Sequence, residues 1–253
     1  MNGIRMKTFT ARYPALFVGL SGLALILAQY IWLFLVPGLS DETRMIAAKA
    51  TECLLAIFLL GMLSWRQEAG FVSWRWRDFI PALPLLIIPL LMVVSQFDKF
   101  RISNPVQILS FAALAAMTGF AEETVFRGIA LHALLPKGAL RAALLSPLIF
   151  SLLHFVNLLQ SADPLATFVQ VIFAFLFGVA FAGPLLYSGS IWPLVTIHAI
   201  QDFIAFWTTG SLTNTSAPTA SEALVTVVLM LPFAVYGLWL IRRPRQTPLT
   251  HVV

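Results

Sequence analysis

The sequence predicts an all-α fold, a polytopic transmembrane helix bundle of about eight spans. Three observations lead there. Of 253 residues, 59% are hydrophobic and only 11% charged, with a mean hydropathy of +0.88; a soluble domain carries about 25% charged residues. Apolar runs recur at the length of roughly 20 residues that a helix needs to cross a hydrocarbon core of about 30 Å. No alternation of strand period competes with those runs. The chain therefore reads as a single membrane domain over residues 1–253, with no soluble block left for a second.

The elements follow in order. The first span, approximately 15–36, is too long for a signal-peptide core and lacks a small-residue cleavage site, so it reads as a retained anchor. The second, 45–64, carries Lys49 and Glu52 at i,i+3, a pair expected to neutralise each other as structure. It also holds Cys53, the only cysteine, which excludes an internal disulfide framework and is expected as a small buried residue. Before the third span, 79–96, Trp65, Trp74 and Trp76 interleave with Arg75 and Arg77, as in an interfacial belt. The fourth, 104–121, continues as an amphipathic helix through Glu122 to about Leu135. Spans at 140–159, 165–186, 191–208 and 221–241 complete the set, and Thr208–Ser221 with Pro218 reads as an outside loop.

Sidedness follows from Lys and Arg. Twelve fall on one side: Arg5, Lys7, Arg12, Arg66, Arg75, Arg77, Arg127, Lys137, Arg141, Arg242, Arg243 and Arg245. Arg44, Lys99 and Arg101 fall on the other, with Lys49 just inside a helix. Positive connections stay cytoplasmic, so both termini are expected there, and an even span count agrees. This is an integral membrane protein, and its short, compact chain suggests a bacterial cytoplasmic membrane. The basic residues sit between apolar runs, so they argue for a lipid bilayer partner and against nucleic acid.

Against that background three polar clusters stand out: Glu122-Glu123-Thr-Val-Phe-Arg127, Phe150-Ser-Leu-Leu-His154 and His198-Ala-Ile-Gln-Asp202. An ionisable side chain at the bilayer centre costs about 2.5–3.5 kcal/mol or more unless it faces a cavity or a partner. Successive helical residues diverge by about 100°, so Glu122 and Glu123 point apart. Glu123 and Arg127 are i,i+4 with the acid first, the favoured order for an ion pair. That pairing frees Glu122 as a general base. His154 shares a helix face with Phe150, and His198 shares one with Asp202. A His–carboxylate pair can bind a metal, hold an imidazole tautomer or stabilise an oxyanion. Asn157 and Gln170 read as helix-packing contacts outside the site, and His132 and His251 fit no useful spacing. HExxH, GxSxG, P-loop and CxxC signatures are all missing from the sequence.

The three clusters resemble the EExxxR, FxxxH and HxxxN/D motifs of the CPBP family, which includes type II CAAX prenyl proteases and bacterial relatives linked to bacteriocin processing and immunity. Gly119-Phe-Ala-Glu-Glu-Thr-Val-Phe-Arg-Gly128 resembles the family's first block, and Ser188-Gly-Ser-Ile-Trp-Pro193 its approach to the third. The likeness covers a catalytic core at about 104–209. It implies a CAAX-type intramembrane endopeptidase acting on membrane-associated proteins or peptides. By position, Glu122 would activate water with His154, while His198 and Asp202 would stabilise the oxyanion or place the water. Glu123 and Arg127 would support the site and Phe150 would shield it. Asp202 stands where the best-known members carry Asn, and an Asp donates to an oxyanion only when protonated. That departure keeps a zinc mechanism open, with Glu122, His154, His198 and Asp202 as candidate ligands. The expected mechanism is metal-free and glutamate-based, without a cofactor. Two other classes remain in play: a non-catalytic scaffold or immunity-type relative, and a transporter using the same groups as a proton relay.

Overall fold

The computed structural model describes residues 3–36, 38–100, 104–160, 162–210 and 219–243. Arg101, Arg245, His251 and most of the expected loop at 208–221 lie outside the described residues. Within them the elements are all helical, joined by connections of which 64–75 is the longest, and there is no strand. A short α1 (Gly3–Arg12) leads into α2 (Pro14–Leu35), whose Pro14 suits a first helical turn because it needs no amide donor. Helix α3 (Asp41–Leu63) is capped by the Ser40 side chain, which accepts from the Thr43 amide.

The third span is composite. Residues Trp76–Leu86 form a 3-10 stretch and only Ile87–Ser95 is α-helical (α4). Pro81 and Pro84 remove two amide donors and clash with the preceding turn, which disfavours a regular α-helix there. Ahead of it, Arg75 donates to Asp78 at 2.9 and 3.2 Å, which raises the guanidinium pKa further above its ordinary value. Trp74 and Trp76 are 64% and 63% exposed, as an interfacial belt requires. Trp65 departs from that expectation: it packs edge-on against His132, with ring centroids 4.6 Å apart.

The fourth span runs unbroken over Pro105–Lys137. Its α-helix, α5 (Pro105–Glu122), passes into a π-helical stretch at Glu123–Ala130, then α6 (Leu131–Leu134) and a closing 3-10 turn. Such wide turns are frequent at functional sites. Here a neighbour supports it: Ser146 Oγ donates to the Phe126 carbonyl oxygen at 2.5 Å. Helix α7 (Ala139–Leu153) continues as a 3-10 stretch at His154–Gln160. Then come α8 (Pro164–Ser188), α9 (Trp192–Thr209) and α10 (Ala220–Ile241), the last opening on a capping box between Thr219 and Glu222.

Seven of these helices are long and apolar enough to cross a membrane. The expected seventh span, α9, is 18 residues long but less apolar, because it carries His198, Gln201 and Asp202. About eight spans therefore holds as an architecture when α9 is counted with the seven. Helix α9 packs along α5, and α8 packs along α10. Glycine permits the first approach: a Cβ on Gly119 would lie 3.0 Å from the Val195 carbonyl and 3.1 Å from the Ala199 amide. Cys53 is half-buried rather than buried, its thiol directed at the Met117 carbonyl at 3.3 Å.

Candidate active site

The junction of α5 and the π-helical stretch puts Glu122 and Glu123 into different surroundings. Glu123 is fully buried, and its Oε1 lies 3.2 Å from the Arg127 guanidinium. The same oxygen accepts from His198 Nδ1 at 2.7 Å, a length typical of a charge-assisted bond. Arg127 is itself 1% exposed and lies over the Phe150 ring at 4.6 Å, with Phe177 and Phe181 each at 5.8 Å. Its carbon-rich cage explains how a guanidinium is tolerated in so apolar a place: ring faces and one carboxylate replace water. The expected Glu123–Arg127 pair is thus present. Arg127 does not belong with the cytoplasmic loop charges, however, since the site encloses it.

Glu122 keeps 18% of its side chain exposed and faces two ways. Oε1 is 3.6 Å from Lys49 Nζ, and Oε2 is 3.9 Å from His198 Nε2. Asp202 Oδ2 lies 3.6 Å from that same Nε2. These separations exceed direct hydrogen-bond length and are those of charged groups in near contact. With Nδ1 donating to Glu123, Nε2 is the ring nitrogen turned toward Glu122 and Asp202. The partner that Asp202 requires in an apolar setting is therefore His198.

A cavity of about 80 Å³ opens in front of Glu122. Phe126, Phe150 and Leu153 form apolar wall, while Glu122, Lys49 and His154 present the polar groups. His154 ends the regular part of α7, and its Nδ1 lies 3.2 Å from the Phe150 carbonyl. The Phe150 ring meets the imidazole edge-on at 4.9 Å and also covers Arg127. One phenyl ring thus touches the buried ion pair and the cavity histidine together.

The structure brings all seven expected residues into this one region: Glu122, Glu123, Arg127, Phe150, His154, His198 and Asp202. It adds groups that sequence reasoning placed elsewhere. Lys49 and Glu52 do pair, at 2.9 Å, but they line the cavity and Lys49 reaches Glu122. Their only sequence signal was a charged pair inside an apolar span. Asn157 also lines the cavity, while its amide donates to Gln170 Oε1 at 2.8 Å. The expected helix-packing contact is present, and Asn157 also borders the cavity.

Among the described residues, no three His, Cys, Asp or Glu side chains come together as a metal-ligating group. Lys49 pairs with Glu52 and Glu122, Arg127 with Glu123, and Asp202 lies beside His198.

The approach to α9 has its own local logic. Gly189 ends α8 in the left-handed region at φ 76°, where a side chain would be strained. The Ile191 amide then donates to the Gly70 carbonyl, and the Trp192 indole to that of Val72, both at 3.0 Å. Pro193 opens the helix. The 64–76 connection thereby fixes the start of the helix that carries His198.

Fold and site together define a polytopic helical membrane protein with a carboxylate–imidazole cluster enclosed among its spans. Residues 104–204 match the model of a family described as type II CAAX prenyl endopeptidase Rce1-like, a likeness that covers the site-bearing part of the chain. The matched segment contains every one of the seven residues above. No curated protein and no solved structure matches the chain.

Proposed function

We propose that the protein cleaves peptide bonds of membrane-associated proteins or peptides by metal-free, glutamate-based catalysis at Glu122. The observation that carries this reading is the position of the Glu122 carboxylate, held between a cavity containing His154 and the His198–Asp202 pair. A substrate carbonyl enters the cavity. Glu122 removes a proton from water, assisted by His154, as the water oxygen bonds to the carbonyl carbon. His198 and Asp202 stabilise the resulting oxyanion or hold the water in line. Collapse breaks the C–N bond, and the proton on Glu122 passes to the leaving amine. Glu123 and Arg127 hold His198 in one orientation, and Phe150 shields the pair. The basic residues of the N-terminal helix, the 64–77 connection and the end of α10 support a topology with both termini cytoplasmic.

The test is a comparison of membrane peptides and protein termini between cells carrying wild type and Glu122→Ala. Precursors that accumulate in the variant, with matching products missing, identify both activity and clients. Identical profiles, together with purified Glu122→Gln that cleaves as fast as wild type, would reject the reading. Persistence of the cellular phenotype with Glu122, His154, His198 and Asp202 all changed to Ala would favour a non-catalytic scaffold.

A further inference from the structure

The best-placed group without a role is Lys49, which lies on α3 and outside the segment that matches the family. Its ammonium is 2.9 Å from Glu52 Oε2 and 3.6 Å from Glu122 Oε1, and its side chain is 13% exposed at the cavity wall. A lysine needed only to neutralise Glu52 has no reason to approach a second carboxylate. Glu52 in turn is 3% exposed and has Lys49 as its ion-pair partner, so the ammonium is tethered from behind. A tethered cation fixes the carboxylate in front of it far better than a free one. Of the two Glu122 oxygens, Lys49 faces Oε1, while Oε2 is turned to His198. The two contacts together define the plane of the carboxylate.

We propose that Lys49, tethered by Glu52, is a positioning residue that orients Glu122 toward the water in the cavity. This inference rests on the proposed role of Glu122 as base. It makes α3 part of the working site, although the recognisable motifs all lie on later helices. Misplacing a reacting group by about 1 Å can cost on the order of 100-fold in rate, so the effect belongs in kcat and not in KM.

The experiment measures kcat and KM for purified, lipid-reconstituted protein on an internally quenched prenylated peptide of CAAX type and on its unprenylated counterpart. Lys49→Met is expected to lower kcat by about 10–100-fold with KM within twofold, and Lys49→Arg to recover most of the loss. Lys49→Met with Glu52→Gln separates positioning from neutralisation, since it removes the buried charge that the single variant strands. If the double variant stays slow while its thermal stability matches wild type, the positioning role stands. If the double variant regains wild-type kcat, or if Lys49→Met never loses it, the inference is overturned and Lys49 merely neutralises Glu52. Should Lys49→Met fail to fold, the double variant alone decides by the same criterion. Glu122→Gln, run in parallel, keeps the two readings apart: full activity there defeats the base assignment itself. A wild type that cleaves neither peptide counts against the protease reading and takes this inference with it.

Discussion

The two adjacent glutamates divide the site into a closed side and an open side. On the closed side Glu123, Arg127 and His198 are almost fully buried under Phe150, Phe177 and Phe181. Contacts there are short, with 2.7 Å from imidazole to carboxylate and 3.2 Å from guanidinium to carboxylate. On the open side Glu122, Lys49 and His154 border a cavity, and the separations to Glu122 lengthen to 3.6 and 3.9 Å. Neighbours in sequence thus have opposite surroundings. A carboxylate whose partners are all in direct contact has no room for a reactant. One with looser partners and a face open to a cavity has that room. The closed side builds the site, and the open side is where a reaction fits.

Each expected result tests this division. The largest effect falls on the open side: Glu122→Gln is expected to lower cleavage by about 10²–10⁴-fold while leaving the detergent melting curve within error of wild type. A melting curve that collapses together with activity would make Glu122 structural after all. On the closed side the pattern inverts. Arg127→Met leaves Glu123 with His198 alone in an apolar cage, and breaking a buried pair in this way costs about 3–5 kcal/mol, visible as a lower unfolding midpoint and poor insertion. An unchanged midpoint would show that His198 suffices as the partner of Glu123. Gly119→Leu wedges α5 from α9, and overpacking of this kind costs about 1–3 kcal/mol; the midpoint should fall and activity with it, since the wedge separates Glu123 from His198. Asn157→Ala removes one interhelical hydrogen bond, worth on average about 0.6 kcal/mol in a membrane bundle, and should barely move the midpoint. Finally, exhaustive chelation is expected to leave cleavage unchanged. Stoichiometric zinc by elemental analysis, with activity lost on its removal, would shift water activation from Glu122 to a metal.

Much of this was legible beforehand, for identifiable reasons. Burying charge in lipid is so costly that Glu122, Glu123, Arg127, His154, His198 and Asp202 stood out from their surroundings, and i,i+4 spacing was enough to pair Glu123 with Arg127. The bundle itself followed from apolar run length. What escaped needed distances between helices. Lys49 and Glu52 satisfy each other within one turn, so nothing local shows that α3 turns them toward α5. Arg127 lies beside a basic connection in sequence, and only packing reveals its aromatic enclosure. The π-helical stretch after Glu122 was likewise read as an ordinary amphipathic continuation, because hydrophobic pattern alone does not record an extra residue per turn.

The unbroken span at Pro105–Lys137 carries a further consequence. It has 33 residues, against roughly 20 needed to cross a bilayer. A helix with that surplus tilts or stands proud of the hydrocarbon. Its far end is dressed in protein: Ala69 presses on Gly128, and Trp65 covers His132. The surplus turns and their wrapping form a buttress on the side of Lys137 and Arg141. The same 64–75 connection that wraps these turns also fixes the start of α9, so the surplus length ties two site-bearing helices to one segment.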